Sequence, residues 1–368
     1  MGTTLLRWGL FLLVLWYVAT QARALWDANR EIDVQLDWKY LVAAGLVSQL
    51  SWLPSTWFWQ KLIELLGDRP LSRYPLIRAY FCGSLGKYVP GKAAVILIRS
   101  ALAGGHGVSL VRASIASIVE AGAVMLVGCV VTVVFAATII PPDALPKGIA
   151  EVVPRESVSW GSLLIAVVIL VLAMPIVAVP ANWIFFKIAR IVEKRTGLKS
   201  VEENSATSET PDDQKPGNDQ LTEATDSTIG RLTWQFLVAA SLMFALSWTG
   251  HGLSLLLVLR SMNPDIMTVD AWIISTSAAA AGTSIGFFAV FAPGGLAVRE
   301  GLIITLLAPS MGGSVAVAAA GLYRLTSLAA ECVAALSLYV AAPRLTESSS
   351  GSQSETDTNR ITNLSMRE

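Results

Sequence analysis

What most constrains this chain is a series of apolar runs the length of a bilayer, two of them bordering Pro-Gly breaks. The runs cover roughly 8–24, 40–60, 113–139, 158–186, 232–259, 271–291 and 314–341. A stretch of this length with few charges is too apolar for the surface of a soluble domain. In hydrocarbon it must close its own backbone hydrogen bonds as a helix. Composition agrees: the chain is 54% hydrophobic and 15% charged, whereas a soluble domain carries about 25% charged residues. The expected fold class is all-α, a polytopic membrane helical bundle of about seven or eight spans.

The breaks are Lys87-Tyr88-Val89-Pro90-Gly91-Lys92 and Pro293-Gly294-Gly295, the second followed by Arg299 and Glu300. Proline removes a backbone donor and clashes with the preceding turn, and glycine tolerates positive φ, so no straight helix passes through either. Broken backbone inside a bilayer survives only where protein or a water-filled cavity satisfies it. The two segments are therefore expected to be re-entrant or kinked. The stretch 296–311 either crosses as a short tilted span or turns back.

Residues 200–230 divide the chain. Most of this stretch is acidic and polar with no apolar period, so it cannot bury a core and is expected to be a disordered cytoplasmic linker. That gives a first membrane half at 1–199, a second at 231–341 and a Ser-rich tail at 342–368. Basic residues cluster after the second and fourth runs (Arg69, Arg73 and Arg78; Lys187, Arg190 and Lys194), which the positive-inside rule reads as cytoplasmic, together with the N-terminus. Ala22-Arg23-Ala24 resembles a signal-peptidase site, but an uncleaved first span is the preferred reading.

Charges inside apolar helices identify the candidate site. Each costs about 2.5–3.5 kcal/mol at mid-bilayer on insertion scales. Arg112 and Glu120 fall in one long run, Arg324 and Glu331 in another, and spacings of seven or eight place each pair on one helix face. Each half thus reads as a long span, a Pro-Gly break with basic residues, then a long span with an Arg and a Glu. A two-fold internal repeat and chance likeness of membrane helices both remain open. Interrupted segments at matching places in two halves point to a transporter's binding site. Lys87, Lys92 and Arg299, with Tyr88 and the amides at both breaks, are candidates for holding an anionic headgroup. Arg112, Glu120, Arg324 and Glu331 are candidates for ion pairs that rearrange, with helix-locking pairs as the bland reading. Lys87 and Lys92 could equally snorkel to headgroup phosphates.

Zero net charge gives no reason to expect a nucleic-acid partner. No P-loop, zinc-binding HExxH, Rossmann glycine pattern or nucleophile–base pair is present, and no cofactor or metal is expected. His106 and His251 read as interfacial residues.

The motifs Ser84-Leu-Gly-Lys-Tyr-Val-Pro-Gly-Lys92 and Pro293-Gly-Gly-Leu-Ala-Val-Arg-Glu-Gly301 resemble the signatures of the lysylphosphatidylglycerol synthase transmembrane region, over about 8–341. Lys87, Pro90, Gly91, Pro293, Gly294, Gly295, Arg299 and Glu300 fall on its motif positions. Ala121 stands where an Arg usually follows the acidic residue, and Ala297 where a third glycine is usual. The resemblance implies a flippase-like inner-membrane domain that translocates or handles polar lipids, as a stand-alone member without the aminoacyl-transfer domain. The expectation is a lipid translocase for an anionic or glycosylated lipid. The alternatives are an intramembrane group-transfer enzyme, with Glu120 or Glu300 as base, and a scaffold for a separate glycosyltransferase or other lipid-modifying enzyme.

Overall fold

The structure, a computed structural model, describes residues 36–88, 93–137, 187, 232–288 and 298–341. The expected first and fourth spans, the 200–230 linker and the tail lie outside these residues, as do Pro90, Gly91, Lys92, Pro293, Gly294 and Gly295. Every regular element among the described residues is a helix, as an all-α bundle requires. In chain order the first half gives α1 (Trp38–Leu50), α2 (Leu53–Leu65), α3 (Arg73–Ser84), a 3-10 turn (Leu85–Tyr88), α4 (Ala93–Gly104) and α5 (Leu110–Ala137). The second half gives α6 (Trp234–Met262), α7 (Val269–Phe288), α8 (Val298–Met311) and α9 (Gly313–Val340).

Among the described helices, α5, α6 and α9 are long and apolar enough to cross a membrane. The single span expected over 40–60 is instead two helices. Pro54 cannot sit in a helix interior, so the chain turns at Ser51-Trp52 and the proline takes the first turn of α2, where its missing N–H costs nothing. Side-chain caps start α6 and α7: Thr233 accepts from the Phe236 N–H at 3.2 Å, and Thr268 from the Ala271 N–H at 3.1 Å. Gly312, at φ 85°, separates α8 from α9 within a single residue, a conformation L side chains rarely adopt.

The first predicted break lies between the 3-10 turn and α4, and the second between α7 and α8, both outside the described residues. The arms α3 and α4 pack together, as do α7 and α8. With 12 and 14 residues, α4 and α8 rise only about 18 and 21 Å, short of a hydrocarbon core of about 30 Å.

The halves interlock. Helix α5 packs on α7 and α9 packs on α3; α1 lies against both α6 and α9, and α6 against α5. Exchanging the halves turns the first pair of contacts into each other, the pattern a two-fold internal repeat produces. Small residues allow the close approach. Ala278, Ala279 and Ala280 of α7 are fully buried, and a methyl group on Gly128 would lie 2.7 Å from the Trp248 ring. One apolar cluster gathers Phe58, Trp59, Tyr80, Phe244 and Trp248; a second gathers Ala44, Leu255, Leu307 and Tyr323.

Candidate functional site

Between the two halves lies a cavity of about 570 Å³, lined by residues of α1, α3–α9, the α1–α2 corner and the 3-10 turn. Its wall is mostly apolar (Phe81, Ile96, Val124, Phe287), and into it are set Lys87, Arg99, Glu120, Arg299 and Glu331. Of the sequence-predicted site residues, Lys87, Glu120, Arg299 and Glu331 line this space; Tyr88, Arg112, Glu300 and Arg324 are described but are not among its lining residues.

On one side, Arg99 of α4 donates from Nη1 to Glu120 Oε2 at 2.8 Å, and the Tyr80 hydroxyl of α3 donates to Oε1 at 2.8 Å. Both carboxylate oxygens are thereby engaged. The guanidinium also lies 3.8 Å from the Tyr80 ring centroid and reaches Ser84 Oγ at 3.3 Å. The pair is almost wholly buried, with side-chain exposures of 7% and 4%. Desolvating two charges is repaid only when geometry is good and spare lone pairs are satisfied, which Tyr80 and Ser84 help to do. Gly83 makes the approach feasible, since a Cβ there would lie 2.3 Å from Arg99 Cγ.

On the other side, Lys87 Nζ donates to Glu331 Oε1 at 2.5 Å and the Tyr88 hydroxyl to Oε2 at 2.8 Å. This contact ties the first half's turn to the last helix of the second. The Tyr88 ring also lies 5.9 Å from the Arg324 guanidinium, which meets Glu300 at 3.4 Å. Arg299 projects over the Tyr323 ring at 5.4 Å, and its stem packs against Gly282 and Gly286 of α7, as Arg99 packs against Gly83.

The pairing within each long helix that the spacing suggested is corrected. Residues two turns apart share a face but stand about 11 Å apart along the axis, too far for an ion pair. Arg112 instead meets Asp68 at 3.4 Å, away from the cavity wall, and Glu120 meets Arg99. Arg324 meets Glu300, and Glu331 meets Lys87. The equivalent pairs of the two halves are thus Arg99–Glu120 and Glu300–Arg324, with the charges exchanged: the short arm carries the base in one half and the acid in the other.

Sequence reasoning missed Arg99, which read as the end of an apolar run although α4 continues to Gly104. Its signal was a lone Arg with no interfacial role inside AAVILIRSALAG. His251, read as interfacial, is corrected: it is 5% exposed within α6, on the cavity wall, with its ring 4.7 Å from that of Trp52. Tyr80 and Gln49 were also unmarked.

These features define a class, a polytopic helical membrane protein whose halves together line a partly charged cavity. More narrowly, the chain belongs to the family described as the lysylphosphatidylglycerol synthase TM region, whose family model matches residues 4–334. It is a membrane protein of a family tied to lipid-related processes. Comparison with curated proteins and with solved structures gave no match.

Proposed function

We propose that this protein translocates an anionic or glycosylated lipid across the inner membrane without altering it chemically. The single observation that carries this reading is the 570 Å³ cavity, lined from both halves and furnished with Lys87, Arg99 and Arg299 in an otherwise apolar wall. A headgroup needs such a space, because an unsolvated charge in hydrocarbon is costly, while acyl tails need only an apolar surface. Arg299 has no carboxylate partner among the described residues, so it is the cation best placed to take a phosphate; Lys87 would join it on leaving Glu331. Exchange of Glu331 between Lys87 and other partners would accompany opening to one side and then the other. The N-terminus is taken as cytoplasmic on the strength of basic-residue placement.

A non-enzymatic role is supported by the engagement of both Glu120 oxygens and the pairing of Glu300 with Arg324, which leave neither carboxylate poised as a base. No nucleotide is invoked, so flow would be downhill or ion-coupled.

Purified protein in liposomes with a fluorescent anionic lipid, quenched from outside by dithionite, tests the reading. Scrambling by wild type should fall about tenfold in Arg299→Ala, the loss of one charge-assisted contact. Equal rates for wild type, Arg299→Ala and Lys87→Ala would overturn it. Mass spectrometry showing a chemically altered lipid would favour a transferase, and co-purification of a lipid-modifying enzyme would favour a scaffold.

A further inference from the structure

The cavity wall also carries uncharged polar groups. The corner between α1 and α2 brings Gln49 and Trp52 to the wall, and α6 brings His251 against Trp52, its ring edge-on at 4.7 Å between centroids. Both amide atoms of Gln49 and Nε2 of His251 are buried, and among the described residues none has a hydrogen-bond partner. Buried polar atoms are nearly always paired, so three unpaired atoms on residues of one cavity wall mark a place for partners from beyond the described residues. An amide offers both a donor and an acceptor, and a neutral imidazole adds one more. That set suits hydroxyl groups, each of which donates and accepts. The adjoining indole supplies a flat apolar face of the kind that packs against the C–H face of a polyhydroxylated ring.

The Tyr323 hydroxyl reaches the His251 carbonyl at 3.5 Å, and Arg299 lies over the Tyr323 ring at 5.4 Å. Arg299 and the Trp52–His251 corner are thus linked through one tyrosine.

We infer that the Gln49–Trp52–His251 corner is a subsite for a polyhydroxylated ring attached to a phosphate held at Arg299. This deepens the reading of the cavity as a headgroup site and rests on it, but it does not depend on transport. It sets the ligand class as ring-bearing phosphodiester lipids, in which the ring is either an inositol or a sugar. Zwitterionic headgroups fit less well, because the corner offers no carboxylate to a choline or ethanolamine cation.

The test is competitive binding to the full chain in detergent, read by native mass spectrometry with equal amounts of phosphatidylinositol, a mannosyl phosphopolyprenol and phosphatidylglycerol. At least one ring lipid should exceed phosphatidylglycerol about fivefold, the increment expected of one added net hydrogen bond and a ring contact. Whichever ring lipid is higher identifies the source of the ring. Gln49→Leu should bring the ratio close to one without lowering phosphatidylglycerol binding, whereas Arg299→Ala should weaken all three. Equal binding of all three lipids by wild type overturns the subsite, as does a ratio unchanged by Gln49→Leu. The wild-type competition decides even if that variant fails to fold. Selective binding without any scrambling would retain the subsite and sink translocation; scrambling with no ring preference would do the reverse.

Discussion

Gly83 and Arg99 touch so closely that a methyl group on the glycine would lie 2.3 Å from Arg99 Cγ and 3.2 Å from the Arg99 backbone nitrogen. The far end of a side chain could move aside; the backbone of α4 cannot without shifting the helix. The distance between α3 and α4 is therefore set by the absence of a side chain, and so is the position from which Arg99 reaches Glu120.

Gly83→Ala should accordingly destabilise the protein by about 1–3 kcal/mol, the range for overpacking a tight interface. Gly301→Ala is the control: a Cβ there meets nothing within 4 Å, so that variant should be neutral or more stable by about 0.5–1 kcal/mol. Thermal unfolding in detergent, compared side by side, reads both. Equal melting temperatures for the two variants would contradict the packing argument.

Removing Arg99 strands a buried carboxylate. Arg99→Ala is expected to cost about 3–5 kcal/mol, and the double variant Arg99→Met with Glu120→Leu to recover much of that loss, since an apolar pair carries no desolvation penalty. Chemical denaturation of the single and double variants measures the coupling directly.

The exchanged charges make a further pair testable. Glu300→Arg alone places two cations together beside Tyr88, and Arg324→Glu alone places two acids there; each should lower expression and melting temperature. Combining the two restores an attractive pair and should recover more than half of the combined loss. Additive damage in the double variant would show that the pairing contributes little.

The Lys87–Glu331 contact is more exposed on the lysine side, at 32%. Lys87→Ala should cost only about 1–2 kcal/mol, a buried-pair value reduced for solvent screening. Glu331→Gln should partly offset Lys87→Ala when the two are combined, because the unpaired buried carboxylate is gone. Melting curves of the three variants test this.

How far the sequence exposed all this depended on the kind of signal. Helical class and the long spans α5, α6 and α9 were legible because hydropathy acts locally. Lys87, Glu120, Arg299 and Glu331 were legible as cavity candidates because a charge in an apolar run is expensive wherever it lies. Their partners were not. Arg99 with Glu120, and Lys87 with Glu331, join different helices, and helical spacing says only which residues share a face. The corner formed by Gln49, Trp52 and His251 left no mark either, since its polar atoms are uncharged and stand out only once the packing leaves them without partners. Pro54 was visible, but whether it kinks one span or starts a second helix depends on what the chain packs against.

The seating of α9 on α3 bears on how the chain is made. Lys87 leaves the ribosome 244 positions ahead of its carboxylate, an interval on the order of ten to fifty seconds at ordinary elongation rates of about 5–20 residues per second. Throughout that time the first half sits in the translocon or bilayer with an unmatched ammonium group and an uncovered helix face. Quality control of the nascent protein, by an insertion chaperone or a membrane protease, would act within this window, and a chain truncated before residue 331 would present that uncovered face permanently.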